Sequence, residues 1–165
     1  MAPAAKKRLA LDANVPLDLA SETPGIVDFH AKFLSRGYEL FLTPTALEEI
    51  HWLYENGEPD EKELASVALQ NILAWEIHPV NLIPVGHALT ERFSETLIKR
   101  KLLPEGECND GMILAETSLL EIPALVTSDH HLLNIEESEL RVACDDCGLG
   151  YVWPVHPIRM FRALP

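Results

Sequence analysis

Short apolar runs alternate along this chain with longer stretches whose apolar residues recur every third or fourth position. The first run, RLAL at 8–11, predicts a buried strand leading into Asp12. Pro24 and Gly25 open an amphipathic helix with Ile26, Phe29, Phe33 and Leu34 on one side, and Gly37 closes it as a C-cap. YELFLT (38–43) predicts a second strand. Thr43 and Pro44 then start a helix carrying Leu47, Ile50, His51 and Tyr54 and ending near Asn56 and Gly57. A third helix follows Pro59 and runs to Trp75, its acidic first turn suiting the positive end of the helix dipole. VNLIPV (80–85) predicts a short strand or extended link. A helix over 87–101 has Leu89, Phe93, Leu97 and Ile98 as its core face, and another over roughly 109–121 carries Met112, Ile113, Ala115, Leu119 and Leu120. ALVTS (124–128) predicts a buried strand, 130–135 a short turn or helix, RVAC (141–144) a strand, GYVWPV a last strand, and HPIRMFRAL a terminal helix.

Strands alternating with helices predict an α/β fold with a mostly parallel central sheet flanked by helices. At 165 residues, one domain spanning 1–165 with a core over about 8–161 is the simplest organisation. In such sheets, ligands bind at the carboxyl ends of the strands. Asp12 and Asp129 fall at two of those ends, Asp110 falls in the first turn of a helix, and Glu49 lies about one turn inside another.

Composition narrows the classes. Hydrophobic content of 47% and charged content of 24% are those of an ordinary globular chain. No apolar run approaches the ~20 residues that span a bilayer, and the N-terminus lacks the apolar stretch of a secretory signal. Three cysteines do not suggest a disulfide framework, so a reducing cytoplasm is expected. Cys144 and Cys147 form a lone CxxC, half of a zinc site, and read as unremarkable thiols in a turn. The net charge of −13 argues against a protein that coats nucleic acid by bulk electrostatics. The basic residues cluster at Lys6, Lys7 and Arg8, at Lys99, Arg100 and Lys101, and at Arg159 and Arg162.

Several carboxylates brought together repel unless a hard divalent cation sits between them. Asp12, Glu49, Asp110 and Asp129 therefore point to Mg²⁺ or Mn²⁺ and to phosphodiester chemistry. Taken singly, each acid also fits a cap, turn or exposed helical position.

The stretches LALDANVPLD, FLTPTALEEI, ECNDGMILAETSLL, PALVTSDHHLL and VWPVHPIRMF, in that order, resemble the PIN-domain family of VapC-like metal-dependent ribonucleases. The resemblance implies that Asp12, Glu49, Asp110 and Asp129 are the catalytic, metal-holding acids. Glu48 is the rival for the second acid if the register slips by one. Asn14, Thr127 and Ser128 correspond to supporting polar residues. It further implies Mg²⁺ (or Mn²⁺) as cofactor, RNA as substrate, and cleavage leaving a 5′-phosphate and a 3′-hydroxyl. The chain is then the toxin of a toxin–antitoxin pair or another nuclease of the family. An antitoxin protein and a homodimer are the expected partners, with no membrane.

Two other readings compete: a catalytically silent PIN fold that binds RNA or protein, and a phosphotransferase with Asp12 as nucleophile. Asp12-Ala13-Asn14 departs from the Asp-x-Asp of dehalogenase-like phosphatases. His130 and His131 are expected at a surface turn. Glu116, six residues after Asp110, is rotated off that face of its helix and expected to be structural.

Overall fold

In a computed structural model describing residues 7–164, five parallel strands form one sheet. They are β1 (Lys7–Leu11), β2 (Tyr38–Leu42), β3 (Ile77–Pro79), β4 (Ala124–Val126) and β5 (Trp153–Val155), ordered β3-β2-β1-β4-β5. Lys6 of the first basic cluster lies outside the described residues. The helices are α1 (Asn14–Ala20), α2 (Pro24–Ser35), α3 (Pro44–Asn56), α4 (Pro59–Asn71), α5 (Pro84–Lys99), α6 (Cys108–Leu119), α7 (His130–Leu133), α8 (Glu137–Asp146) and α9 (Pro157–Ala163). The fold class expected from the alternating pattern is the one observed.

Order reverses between β1 and β4, which pair in parallel with Leu11 opposite Val126. Right-handed crossovers built outward from this point put helices on opposite faces of the two halves, leaving a crevice at the carboxyl ends of β1 and β4. The strands are apolar because both faces are covered: Leu9, Ala10, Leu11, Leu40, Leu42, Leu125 and Val126 are buried. Phe29 and Phe33 of α2 and Phe93 of α5 are also fully buried, each stabilising the fold by about 2–3 kcal/mol.

Local chemistry sets the helix starts. The Thr43 side chain accepts from Ala46 N ahead of α3, and Glu58 and Glu61 form a reciprocal capping box ahead of α4. Several helix ends turn through a left-handed residue that is not glycine: Glu22, Glu76, Lys101 and Glu121 have φ of 55°, 56°, 59° and 56°.

Four expectations need correction. Residues 14–20 form α1, which the apolar spacing did not signal; its Pro16 lies in the first turn, where no intrahelical N–H bond is needed. RVAC is not a strand but part of α8. Its helical state is fixed by Glu136 capping Glu139 N and by the Arg141–Glu137 pair one turn apart, signals a four-residue apolar run does not carry. CDDCGLG therefore holds the end of α8 rather than a link between strands. The strand expected at 80–85 lies upstream at Ile77–Pro79, with Pro79 tolerated because β3 is the sheet edge, and Pro84 starts α5. The helix expected to reach Trp75 ends at Asn71 and passes through turns to Glu76.

Candidate active site

Asp12 follows β1 directly and is 3% exposed. Its Oδ1 accepts from Ala13 N at 2.7 Å, and its Oδ2 accepts from Thr127 Oγ1 at 2.7 Å and from Asn14 Nδ2 at 3.0 Å. Asn14 also reaches across the crevice, its Oδ1 accepting from Ser128 N at 3.2 Å. Thr127 Oγ1 accepts in turn from Asp129 N at 2.9 Å. Asn14 and Thr127 thus stitch β1 to β4 and fix the Asp12 carboxylate. Ser128 contributes its backbone N–H here, not its hydroxyl. Burial pushes the Asp12 pKa up, against the pull of these donors.

Asp110 stands in the first turn of α6, where the helix dipole favours negative charge. Gly111 beside it explains how α6 reaches this position: a Cβ there would lie 2.7 Å from Ser94 Cα of α5, so only glycine permits the approach. Asp110 is 6% exposed, and its buried Oδ2 has no hydrogen-bond partner among the described residues. Burial first, then the charges of Asp12, Asp129, Glu107 and Glu49, push its pKa up to about 8. Glu49 on α3 is half-buried and accepts from Asn109 Nδ2 at 2.9 Å. Burial and the neighbouring acids raise its pKa to about 7. Glu48 is exposed on the rim of the same cavity.

Asp129 is half-buried at the start of α7, and its Oδ1 accepts from His131 N at 2.7 Å. Asp12, Glu49, Asp110 and Asp129, far apart in sequence, thus line one cavity of about 620 Å³ with Asn14, Asn109, Glu107 and Trp52. Glu107 and Asn109 were not singled out in the sequence. The signal available was their position on either side of the first residue of α6, three and one before Asp110. Glu116, as expected, serves structure: it is fully buried, and its carboxylate accepts from Thr45 Oγ1 at 2.6 Å and Thr45 N at 3.2 Å.

The donor set fits a hard divalent cation. It is all oxygen, it carries more negative charge than the pocket stabilises alone, and it includes an orphaned buried carboxylate oxygen. Among the described residues, the one group of three ligand atoms lying within 4.8 Å of one another is that of Asp129, His130 and His131. The four acids are held more openly than that group. Cys144 and Cys147 are free thiols outside this cavity, and burial pushes the Cys144 thiol up to about 11. Among the described residues, no helix is long and apolar enough to cross a membrane.

No family model and no curated protein sequence matches the chain. Solved structures do. VapBC2 from Rickettsia felis, bound to a DNA fragment from its promoter, aligns with a TM-score of 0.59 at 11% identity over 89% of this chain and 98% of that one. VapBC-1 from nontypeable Haemophilus influenzae aligns at 0.57 with 16% identity over 91% and 98%. FitAB bound to an IR36 DNA fragment aligns at 0.56 with 16% identity over 91% and 95%. At these identities the likeness establishes a shared fold, the PIN-like α/β architecture that the sequence motifs imply.

Proposed function

We propose that the chain is a single-domain, divalent-metal-dependent endoribonuclease that hydrolyses RNA phosphodiester bonds at Asp12, Glu49, Asp110 and Asp129. The observation that carries this is Asp110: a buried carboxylate with one unpartnered oxygen, surrounded by other acids and opening onto a solvent-filled crevice. A protein has no structural reason to keep such a group, since an apolar residue would cost less. Asp12, Asp110 and Asp129 would hold Mg²⁺ or Mn²⁺, with Glu49 rather than Glu48 completing the set. When bound, the cation neutralises charge on the phosphate and acidifies water at the site.

The chain's own residues do the rest. Thr127, Asn14 and the Ala13 N–H hold the Asp12 carboxylate in one orientation. Asn109 aims Glu49. At neutral pH without a cation, Asp110 keeps a proton and Glu49 partly keeps one, which they surrender when positive charge arrives. The in-line attack leaves a 5′-phosphate. The fold shared with VapBC and FitAB components supports an antitoxin partner, and we assign the chain a toxin-like role as a homodimer.

The test is cleavage of an end-labelled mixed RNA pool by wild type and Asp110→Asn, each with Mn²⁺ and with chelator. Metal-dependent cleavage lost in the variant is the expected result. Cleavage that survives in Asp110→Asn sinks the assignment. One observation favours a second reading, a silent binding module: the four acids do not draw together as tightly as Asp129, His130 and His131 do. Absence of Mn²⁺ binding by calorimetry would select that reading.

A further inference from the structure

A second cavity, of about 560 Å³, opens beside the carboxylate pocket. Lys99, Lys101, His130, His131 and Asn134 line it, with Glu105 as its one acid. The two cavities meet along one wall. His130 and His131 follow Asp129, Glu105 precedes Glu107, and His131 Nε2 lies 4.0 Å from Glu107 Oε1 across the divide. The chemistry changes sign at that wall.

Positive charge is scarce here, 13 basic residues against 26 acidic ones, and most described basic side chains are engaged elsewhere. Arg8 faces Glu39, Arg141 pairs with Glu137, and Arg159 covers Trp153. Within the Lys99-Arg100-Lys101 triplet the division is plain. Arg100 is bound to Asp146, while the two lysines are exposed, have no acidic partner among the described residues, and line the cavity.

The α3 wall of the carboxylate pocket carries the other unexplained feature. Trp52 is 60% exposed and sits one helical turn after Glu49, on the pocket rim. A large aromatic side chain left in water beside a nuclease-like centre suits an unpaired base, because every base has a face to stack and a paired one does not offer it.

We infer that single-stranded RNA crosses this face of the protein. Its backbone phosphates lie on Lys99 and Lys101, with His131 and Asn134 as further donors, and a base flanking the reacting phosphate stacks on Trp52. The inference rests on the nuclease reading for its direction across the acids, but the binding it describes stands apart from cleavage.

The experiment is a fluorescence-anisotropy titration of a short labelled single-stranded RNA, and of the same sequence as a duplex. The protein is Asp110→Asn with Mg²⁺ present, so the probe stays intact. Two further variants are made in that background, Lys99→Ala/Lys101→Ala and Trp52→Ala, with Lys99→Arg/Lys101→Arg and Trp52→Phe as controls for folding. Single strand should bind about tenfold or more tighter than duplex. Removing the lysines should weaken binding and lower the slope of log affinity against log salt by about 1.4, the value for two phosphate contacts on a single strand. Removing Trp52 should weaken binding by about tenfold with that slope unchanged, and Trp52→Phe should recover most of it. Tighter duplex binding, no single-strand binding, or a salt slope untouched by the lysine pair overturns the inference. So does unchanged affinity in Trp52→Ala, which would leave Trp52 to a protein interface. Loss of Mn²⁺-dependent cleavage in the wild type, by contrast, would fell the nuclease reading and leave this result standing.

Discussion

Helix α6 buries two carboxylates six residues apart, and they are opposites. Glu116, in its middle, is fully buried and accepts from the hydroxyl and backbone N–H of Thr45, so it ties α6 to the start of α3. Asp110, in its first turn, is nearly as buried, yet one oxygen has no partner and its neighbours are other acids. Burial alone therefore says little about function. What separates the two is whether the protein itself satisfies the charge. At Glu116 it does. At Asp110 no group among the described residues does, and the proposed cation would be what supplies it.

The sharpest way to break this contrast is to neutralise each end in turn. Asp110→Asn should lower cleavage by about a thousandfold or more, on the order of 4 kcal/mol of barrier, while leaving the far-UV spectrum unchanged. Glu116→Ala should do the reverse. It strands the Thr45 donors in the core and should cost about 2–4 kcal/mol of stability by urea titration, with activity per folded molecule retained.

The pH dependence of the metal-free protein sharpens the point. Asp110 and Glu49, with pKa values raised to about 8 and about 7, hold protons in the folded state that the unfolded chain releases near the ordinary carboxylate value. The folded state then binds more protons than the unfolded one, so stability falls as pH rises through this window. Thermal melts in chelator should show stability falling steadily from about pH 5 to about pH 8, and Mn²⁺ should abolish the fall. A flat profile would mean the acids are already satisfied. The smallest effect is expected at Asn109→Ala, which removes only the donor that aims Glu49. Cleavage should fall about three- to tenfold, in kcat rather than KM.

Much of this was legible in the sequence, for identifiable reasons. The strands before Asp12 and Asp129 are continuous apolar runs because both sheet faces are covered, and Thr43-Pro44 announces α3 through its cap. Asp12, Asp110 and Asp129 showed themselves by position at strand and helix ends, whereas Glu49, one turn inside α3, was marked by the family resemblance. What stayed hidden depends on contacts between distant segments. Glu107 lines the pocket with residues of α3 and stands 4.0 Å from His131 of α7, and its position three residues before Asp110 is a faint local mark of this. Ser128 looked like a supporting hydroxyl but serves through its backbone, since Asn14 reaches it from across the sheet. The helical state of RVAC is supported by Glu136 and Glu137, which lie outside those four residues, one capping the helix and the other pairing with Arg141.

The left-handed residues at the helix ends have a consequence for anyone engineering this scaffold. Glu22, Glu76 and Glu121 occupy a conformation that disfavours any residue with a Cβ, and they add negative charge to a chain already at −13. Glycine at each should stabilise the fold by about 0.5–1 kcal/mol per site, raising the melting temperature, and reduce self-repulsion as well. None of the three lines the carboxylate pocket or the lysine cavity beside it. The protein thus carries a thermal reserve that can be drawn on without touching its chemistry.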